Sequence, residues 1–479
     1  MKLLFTHSYF LQFDPKQVAH AQPYPPLGTI FAAALLRENG FEVKLFDTMF
    51  SQNPDEILPL LEEYKPEVLI VYDDGFNYLT KMCLSNMREA AFKMQVLAKT
   101  YGCKVIITSS DAADHYEKYL NNGADYVIIG EAEYTLLELI RLLNGNQIDV
   151  NLIPGLAFKS DQTITKTLKR LIAKNLDALP LPAWDLVNIE PYKKIWKEKH
   201  GYFSINIATT RGCPYKCNWC AKPMYGNAYN IRSPENVIAE IKLLKQKFDF
   251  DHIWFCDDIF GLKRSWVTEF ANLVKKENLK FNYKIQSRAD LLVQEKYVEA
   301  LADSGCNEVW MGAESGSQKI LDAMDKGTTI EEIKQARLLL KRHEIKAAFF
   351  LQYGYLNETM EDIQKTIALV KETMPDDIGI SVSYPLPGTE FYEKVKLDLT
   401  TKTNWTDSDE LAMLFKNTYP SGFYKILQRY THSIYRKNKA RNKLSKKMAI
   451  GAKLRFGLSY LKYAFTEKLQ FYQLKQNMH

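Results

Sequence analysis

An α/β architecture in two successive parts is predicted for this 479-residue sequence: a doubly wound parallel sheet, then a partial α/β barrel with a helical extension behind it. Three observations carry the prediction. Short apolar runs alternate with amphipathic stretches through the first 145 residues. The alternation restarts near Ser204 and repeats through six units. Strand signals then fade from about residue 400, where basic and aromatic residues take over. Alternating β and α segments favour parallel sheets, because each crossover helix packs back on the sheet it left.

The first strands are expected at Lys2–Thr6, Glu42–Asp47, Val68–Tyr72, Lys104–Thr108 and Tyr126–Ile129, with helices such as Leu27–Glu38 and Asn86–Thr100 between them. Residues 1–145 form this domain. Asn144-Gly145, Pro154-Gly155 and Leu-Pro-Leu-Pro-Ala at 179–183 are turn signals, and residues 146–195 read as a linker. The second set of strands is expected at Ile205–Thr209, His252–Cys256, Phe281–Gln286, Glu308–Gly312, Ala347–Gln352 and Gly379–Ser383. Helices fall between them at Pro234–Phe248, Trp266–Glu277, Glu295–Asp303, Ile330–His343 and Met360–Thr373. Residues 196–395 make the barrel and 396–479 a basic helical region, with helices over Asp407–Phe415 and from Phe423 to Gln473. In both layouts ligands sit at the C-terminal ends of the strands.

Composition narrows the classes. Hydrophobic residues make up 46% and charged residues 25%, as in globular proteins with real cores. No run of eighteen apolar residues occurs, which argues against a membrane span. The opening Met-Lys-Leu-Leu-Phe-Thr-His reads as a strand rather than a signal peptide, and the expected location is cytoplasmic. Seven cysteines, an odd number, argue against a secreted disulfide framework. Cys83, Cys103, Cys256 and Cys306 are scattered and suit small core positions. The net charge of +6 conceals an asymmetry: from Ser421 onward fourteen Lys/Arg face one Glu, a local charge of about +13, against about −7 for the rest.

The other three cysteines, Cys213, Cys217 and Cys220, lie in Thr-Thr-Arg-Gly-Cys-Pro-Tyr-Lys-Cys-Asn-Trp-Cys at 209–220, directly after the first barrel strand. Thiolates are the usual ligands of iron–sulfur clusters, and three at this spacing can hold three irons of a cubane and leave the fourth open. A structural zinc site would need a fourth ligand, usually in paired Cys or Cys/His spacing, and His252 is isolated.

This spacing, with Trp219 before the last cysteine, resembles the radical-SAM signature. The resemblance implies a [4Fe–4S] cluster on Cys213, Cys217 and Cys220. Its open iron would bind S-adenosylmethionine, and one electron would release a 5′-deoxyadenosyl radical. Trp219 would pack near the adenine. The resemblance continues through residues 204–395. Trp254-Phe255-Cys256-Asp257-Asp258 resembles the segment facing the methionine end, and Gln286-Ser287-Arg288-Ala289-Asp290 the segment whose Arg pairs with the carboxylate. A guanidinium suits that task as a planar, permanently charged fork. Met311 to Ser317 resembles the fourth-strand segment, which places Glu314 and Ser315 at polar contacts. Gly354 to Thr359 and Tyr384 to Thr389 resemble the ends of the fifth and sixth strands. Standing alone, Asp257, Asp258 and Glu314 also read as ordinary strand-end carboxylates.

Pro25-Pro26-Leu27-Gly28 and Gly130-Glu131-Ala132-Glu133-Tyr134-Thr135-Leu136 resemble the opening and closing segments of the cobalamin-binding domain that precedes many radical-SAM barrels. The resemblance implies cofactor contacts at Pro26, Leu27, Gly28, Ser110, Gly130 and Glu131. There is no Asp-x-His-x-x-Gly, so no histidine is offered as the lower cobalt ligand. The family's Gly-Gly turn is replaced by Ser109-Ser110-Asp111-Ala112-Ala113-Asp114-His115, in which Asp111, Asp114 and His115 serve either as polar contacts or as a helix start with dipole-matched acids, the commoner use. The alternative for the whole domain is a vestigial lid that binds nothing.

The resemblance implies reductive cleavage of S-adenosylmethionine followed by cobalamin-dependent methyl transfer to an unactivated carbon. The alternatives are a rearrangement or cyclisation like that of the anaerobic magnesium-protoporphyrin ester cyclases, and a non-catalytic sensor or accessory protein. Expected partners are a small-molecule or lipid-like substrate and an electron donor such as flavodoxin or ferredoxin, with no nucleic acid. The basic tail suits a helical extension packing Phe and Tyr on the barrel, and also a peripheral contact with an anionic membrane.

Overall fold

Apolar strands build the first sheet. In a computed structural model that describes residues 1–160, 163–220, 222 and 224–478, its strands are β1 (Lys2–Thr6), β2 (Glu42–Phe46), β3 (Val68–Tyr72), β4 (Lys104–Thr108), β5 (Tyr126–Ile128), β6 (Leu156–Ser160) and β7 (Thr163–Lys166). They are ordered β2-β1-β3-β4-β5-β6-β7. Val-Leu-Ile-Val-Tyr of β3 is buried at every position, as a strand covered on both faces must be. The chain reverses direction across the sheet between β1 and β3, the point where such folds bind ligands.

The expected strands and helices of this region fall where the alternation put them, within a residue or so at each end. The stretch read as linker differs. Leu156–Ser160 pairs antiparallel with Thr163–Lys166 on one side and with β5 on the other, which widens the sheet, and Glu190–His200 is a helix. Trp184 inside this stretch and Trp196 on that helix are almost wholly buried. Pro and Gly mark turns but say nothing about whether the chain between them finds a sheet edge to join.

The second sheet comprises β8 (Ser204–Ile207), followed after a short antiparallel pair β9 (Thr210–Arg211) and β10 (Asn230–Ile231) by β11 (His252–Phe255), β12 (Asn282–Ser287), β13 (Cys306–Glu314), β14 (Lys346–Tyr353) and β15 (Asp377–Val382). Its order is β15-β14-β13-β12-β11-β8, all parallel, and the two end strands do not pair, so the barrel is partial. Crossover helices start on local chemistry. Thr329 with Glu332 and Thr359 with Asp362 form reciprocal capping boxes at Ile330–Arg342 and Met360–Thr373.

The C-terminal part is an antiparallel hairpin of two long helices, Ser421–Leu444 and Ile450–Gln476. The helix expected over Asp407–Phe415 is absent. This segment is irregular, with an isolated bridge between Leu399 and Phe415. Its short polar side chains bond elsewhere: Asp407 Oδ1 accepts from the Asp409 backbone N–H at 2.9 Å, and Ser408 donates through its backbone and hydroxyl to Asp14 of the first domain. Trp405 is buried and its Nε1 donates to the Ala412 carbonyl at 2.7 Å.

Candidate active site

The loop carrying the three cysteines is held at both ends. β9 and β10 pin its ends together, and the β8 edge reaches it through Thr209 and Thr210. Asp257, at the end of β11, accepts from the backbone N–H groups of Thr209 and Thr210 at 2.7 and 2.8 Å and from the Thr209 hydroxyl at 2.5 Å. Burial raises its pKa to about 6. Asp257 therefore clamps the start of the cysteine loop and does not line the cavity described next, contrary to the contact expected of it. Gly212 has φ +81° and a Cβ there would collide with the Ala228 carbonyl, so only glycine turns the chain into Cys213.

Asn218, between Cys217 and Trp219, fixes the middle of the loop. Its side chain donates to the Ala323 carbonyl and to Asp325 at 2.8 and 2.7 Å and accepts from the Tyr355 hydroxyl at 2.8 Å. Nothing in the motif announces this; an Asn among cysteines looks like an ordinary loop residue.

A cavity of ≈1260 Å³ opens beside the loop. It exceeds the ~300–1,000 Å³ that one drug-sized ligand occupies. Cys213, Cys217, Cys220 and Trp219 line it, with Asp258, Arg288 and Glu314 from the ends of successive strands. Loops after β1, β2 and β3 close it from the other side with Tyr9, Met49, Phe76 and Lys81. The first sheet thus presents its C-terminal edge to the C-terminal mouth of the barrel.

Arg288 stacks on the Tyr215 ring, 3.7 Å from its centroid, and its Nη1 lies 3.8 Å from Cys217 Sγ. Its remaining donors reach Asp290 and the Lys326 carbonyl at 3.0 and 2.7 Å. Glu314 sits at a register shift in β13 with φ +53°, a backbone state that is costly for a residue with a Cβ. It is paired at 2.8 Å with buried Lys326, which also lies 5.9 Å from the Trp219 ring centroid. Asp258 is paired at 2.6 Å with Lys81 from the first domain. Lys81 and Lys326 carry no motif and became visible only through their partners. Lys284, inside the barrel on β12, lies over Tyr24 and Trp254 at 5.4 and 5.5 Å, and burial lowers its pKa to about 8.

The other expected contacts are spent elsewhere. Ser315 is fully buried and meets Thr366 Oγ1 at 3.1 Å, which fastens β13 to a helix. Leu27 and Gly28 donate their backbone N–H groups to Asp74 at 3.2 and 3.0 Å, and Pro26 caps the same helix, so this helix start already has its anion. Ser110 opens the helix Ser110–Asp114, which Ser109 caps. Asp111 is paired with Arg88 and accepts from Tyr119 at 2.7 Å, in line with the helix-start reading. Gly130 turns the chain with φ +89°. Glu131 accepts from Arg211 Nη1 at 2.6 Å and Glu133 from Arg211 Nη2 at 2.7 Å. Pro26, Leu27, Gly28, Ser110, Gly130 and Glu131 do not line the cavity. The closing motif joins the two sheets through Arg211, one residue before Gly212.

The donor set fits a cluster. Among the described residues no three His, Cys, Asp or Glu converge as a single metal ion requires, whereas a cubane takes thiolates spread around one cavity wall. Burial raises the thiol pKa of Cys213, and that of Cys220 to about 12, so binding of irons must displace thiol protons. Two buried polar atoms of the cavity wall, Tyr9 Oη and Trp219 Nε1, have no hydrogen-bond partner among the described residues. Such atoms are costly unless a ligand or water meets them.

Residues 207–370 match the radical SAM superfamily. The barrel belongs to that superfamily. The chain is 26% identical over 420 residues to an uncharacterized methyltransferase of Pyrococcus horikoshii, covering 86% of this chain and 88% of that protein. It is 25% identical over 403 residues to the anaerobic magnesium-protoporphyrin IX monomethyl ester cyclase of Rubrivivax gelatinosus, covering 82% and 70%. Among solved structures, the cobalamin-dependent S-adenosylmethionine radical enzyme OxsB, with aqua-cobalamin and S-adenosylmethionine bound, shares the fold with a TM-score of 0.74 at 15% identity, covering 98% of this chain and 72% of that one. The likeness of fold therefore takes in both sheets and the helical tail.

Proposed function

We propose that this protein is a radical SAM enzyme that reductively cleaves S-adenosylmethionine and, with cobalamin, transfers a methyl group to an unactivated carbon. The observation that carries the reading is the single cavity shared by the three cysteines, the barrel rim and the ligand-binding edge of the first sheet. When bound, the cluster supplies the electron for cleavage and cobalamin carries the methyl group.

Cys213, Cys217 and Cys220 hold the cluster. Arg288 sets a positive charge beside Cys217 and lies where a carboxylate could meet it. Glu314 and Lys326 offer both signs of charge at the rim, and Trp219 Nε1, without a hydrogen-bond partner among the described residues, can donate. Cobalamin would rest on Tyr9, Met49 and Phe76. The Lys81–Asp258 pair ties the sheet to the barrel across the cavity.

The likeness to a cyclase supports a second reading, radical rearrangement or ring closure in the same cavity. Within either reading the electron donor is a flavodoxin- or ferredoxin-type protein, and the basic tail makes a peripheral membrane contact.

The test is anaerobic reconstitution with iron and sulfide, then dithionite and S-adenosylmethionine, with chromatography for 5′-deoxyadenosine. Wild type forms it and Cys217→Ala does not. No product under several reductants, or persistent cleavage by Cys217→Ala, overturns the reading. Cobalamin uptake, followed by its visible absorbance, separates the cofactor-dependent protein from one with a vestigial first domain.

A further inference from the structure

Helix Ile450–Gln476 carries apolar residues on two faces. The inner face packs on Ser421–Leu444: Leu474 is buried, Phe471 stacks on Tyr430 at 5.9 Å, and Arg436 lies 5.7 Å from the Tyr463 ring centroid. The outer face is different. Ile450, Leu454, Leu458, Leu461, Phe465 and Leu469 follow one another at spacings of three or four and are between 48% and 79% exposed, and Tyr472 continues the line. Single exposed apolar residues are ordinary, but an unbroken line of them marks a contact surface. At 1.5 Å per residue this one is about 33 Å long.

Charge identifies what the surface meets. With 3.6 residues per turn, Arg455 and Lys462 fall on one shoulder of the apolar line, and Lys453, Lys468 and Lys475 on the other. The only acid from Ser421 onward, Glu467, is turned inward and paired with Lys437 of the neighbouring helix. An apolar line flanked on both sides by Lys and Arg, with no acid on the exposed face, is the pattern of a helix lying in a lipid interface. A second copy is disfavoured because face-to-face pairing would bring two strongly basic tails together. No described helix is long and apolar enough to cross a membrane, so the contact is one of lying on the surface.

We propose that the outer face of helix Ile450–Gln476 docks this protein in the plane of an anionic membrane, with the apolar line at the acyl boundary and the flanking Lys and Arg at the headgroups. The same helical hairpin supplies part of the cavity wall through Arg429, His432 and Gln470. Docking therefore sets the cavity beside lipid, and an amphipathic, lipid-like substrate follows as a corollary. That corollary rests on the catalytic reading above; the docking does not.

The experiment is flotation of the full-length protein with vesicles of phosphatidylcholine alone and of phosphatidylcholine with phosphatidylglycerol, at low and high salt. Wild type floats with the anionic vesicles, and high salt weakens the binding. Leu454→Glu/Leu461→Glu/Phe465→Glu loses it by more than about tenfold, because three buried apolar groups are replaced by repelled charges. Lys453→Glu/Lys462→Glu/Lys468→Glu loses it to a similar degree. All these positions are exposed, and gel filtration with iron incorporation confirms that the variants fold. Failure of wild type to float, or flotation of the apolar-line variant equal to wild type, overturns the proposal. So does a wild-type dimer that the same variant converts to monomer, which would make the face a self-association surface. Because iron incorporation is read separately, loss of flotation is not confused with loss of the cluster.

Discussion

Replacing Arg211 by Met tests the joint between the two sheets. Arg211 is 3% exposed and bonds Glu131 at 2.6 Å and Glu133 at 2.7 Å, with both carboxylates equally buried. Among the described residues Glu133 Oε2 has no hydrogen-bond partner. Burial, and then the adjacent Glu133, already raise the Glu131 pKa against the pull of Arg211. Met keeps much of the volume but leaves two carboxylates buried without a counter-charge. Breaking one partner out of a buried ion pair costs about 3–5 kcal/mol. Against a total of about 5–15 kcal/mol this is a large fraction. Urea unfolding followed by tryptophan fluorescence should show a much lower midpoint for Arg211→Met. The triple variant Arg211→Met/Glu131→Gln/Glu133→Gln should recover most of the loss, since amides tolerate burial better than unpaired charges. A single variant within about 0.5 kcal/mol of wild type, the range of substitutions that touch nothing important, would refute the argument. So would a triple variant less stable than the single one. Arg211 lies two residues before Cys213, so iron content after reconstitution should fall with stability and recover with it.

Three further outcomes follow from other buried groups. Burial raises the Glu358 pKa to about 8, from 4.5, although one oxygen accepts from the Gly354 N–H at 2.6 Å. The folded state then holds a proton that the unfolded state releases between these values, so this group's contribution falls as pH rises from 4.5 to 8. Glu358→Gln should match wild type near pH 4 and exceed it increasingly toward pH 8 in denaturation midpoints; a constant difference would contradict the assignment. Asp257→Asn keeps one accepting oxygen where three donors converge, and should cost about 1–3 kcal/mol and lower the iron retained per chain, measured by iron assay against circular dichroism. Tyr9→Phe removes a hydroxyl that has no hydrogen-bond partner among the described residues, so the fold should be unaffected while cobalamin uptake weakens; unchanged uptake would place the cofactor away from Tyr9.

Most strands and crossover helices were legible because burial on both faces of a parallel sheet demands continuous apolar runs, as at Val68–Tyr72. The helix expected at Asp407–Phe415 failed because the Asp407 side chain turns back on the Asp409 N–H and Ser408 found its partner in Asp14, nearly four hundred residues earlier in the chain. The strands Leu156–Ser160 and Thr163–Lys166 were missed because joining a sheet edge depends on the edge being there.

The site divides in the same way. Cys213, Cys217 and Cys220 stand close enough in the chain for their spacing alone to specify the chemistry, and the sequence determined that much, together with two α/β layers and a basic tail. Which polar residues face the cavity was decided only by tertiary structure. Arg288, Asp258 and Glu314 reach it, while Asp257, Ser315 and Glu131 are consumed in holding the loop, the helix and the joint between sheets. A carboxylate at a strand end has the same local sequence whether it meets a ligand or a backbone N–H. What separates the two is the position of a partner brought in by folding, as Lys81 is brought to Asp258 and Arg211 to Glu131.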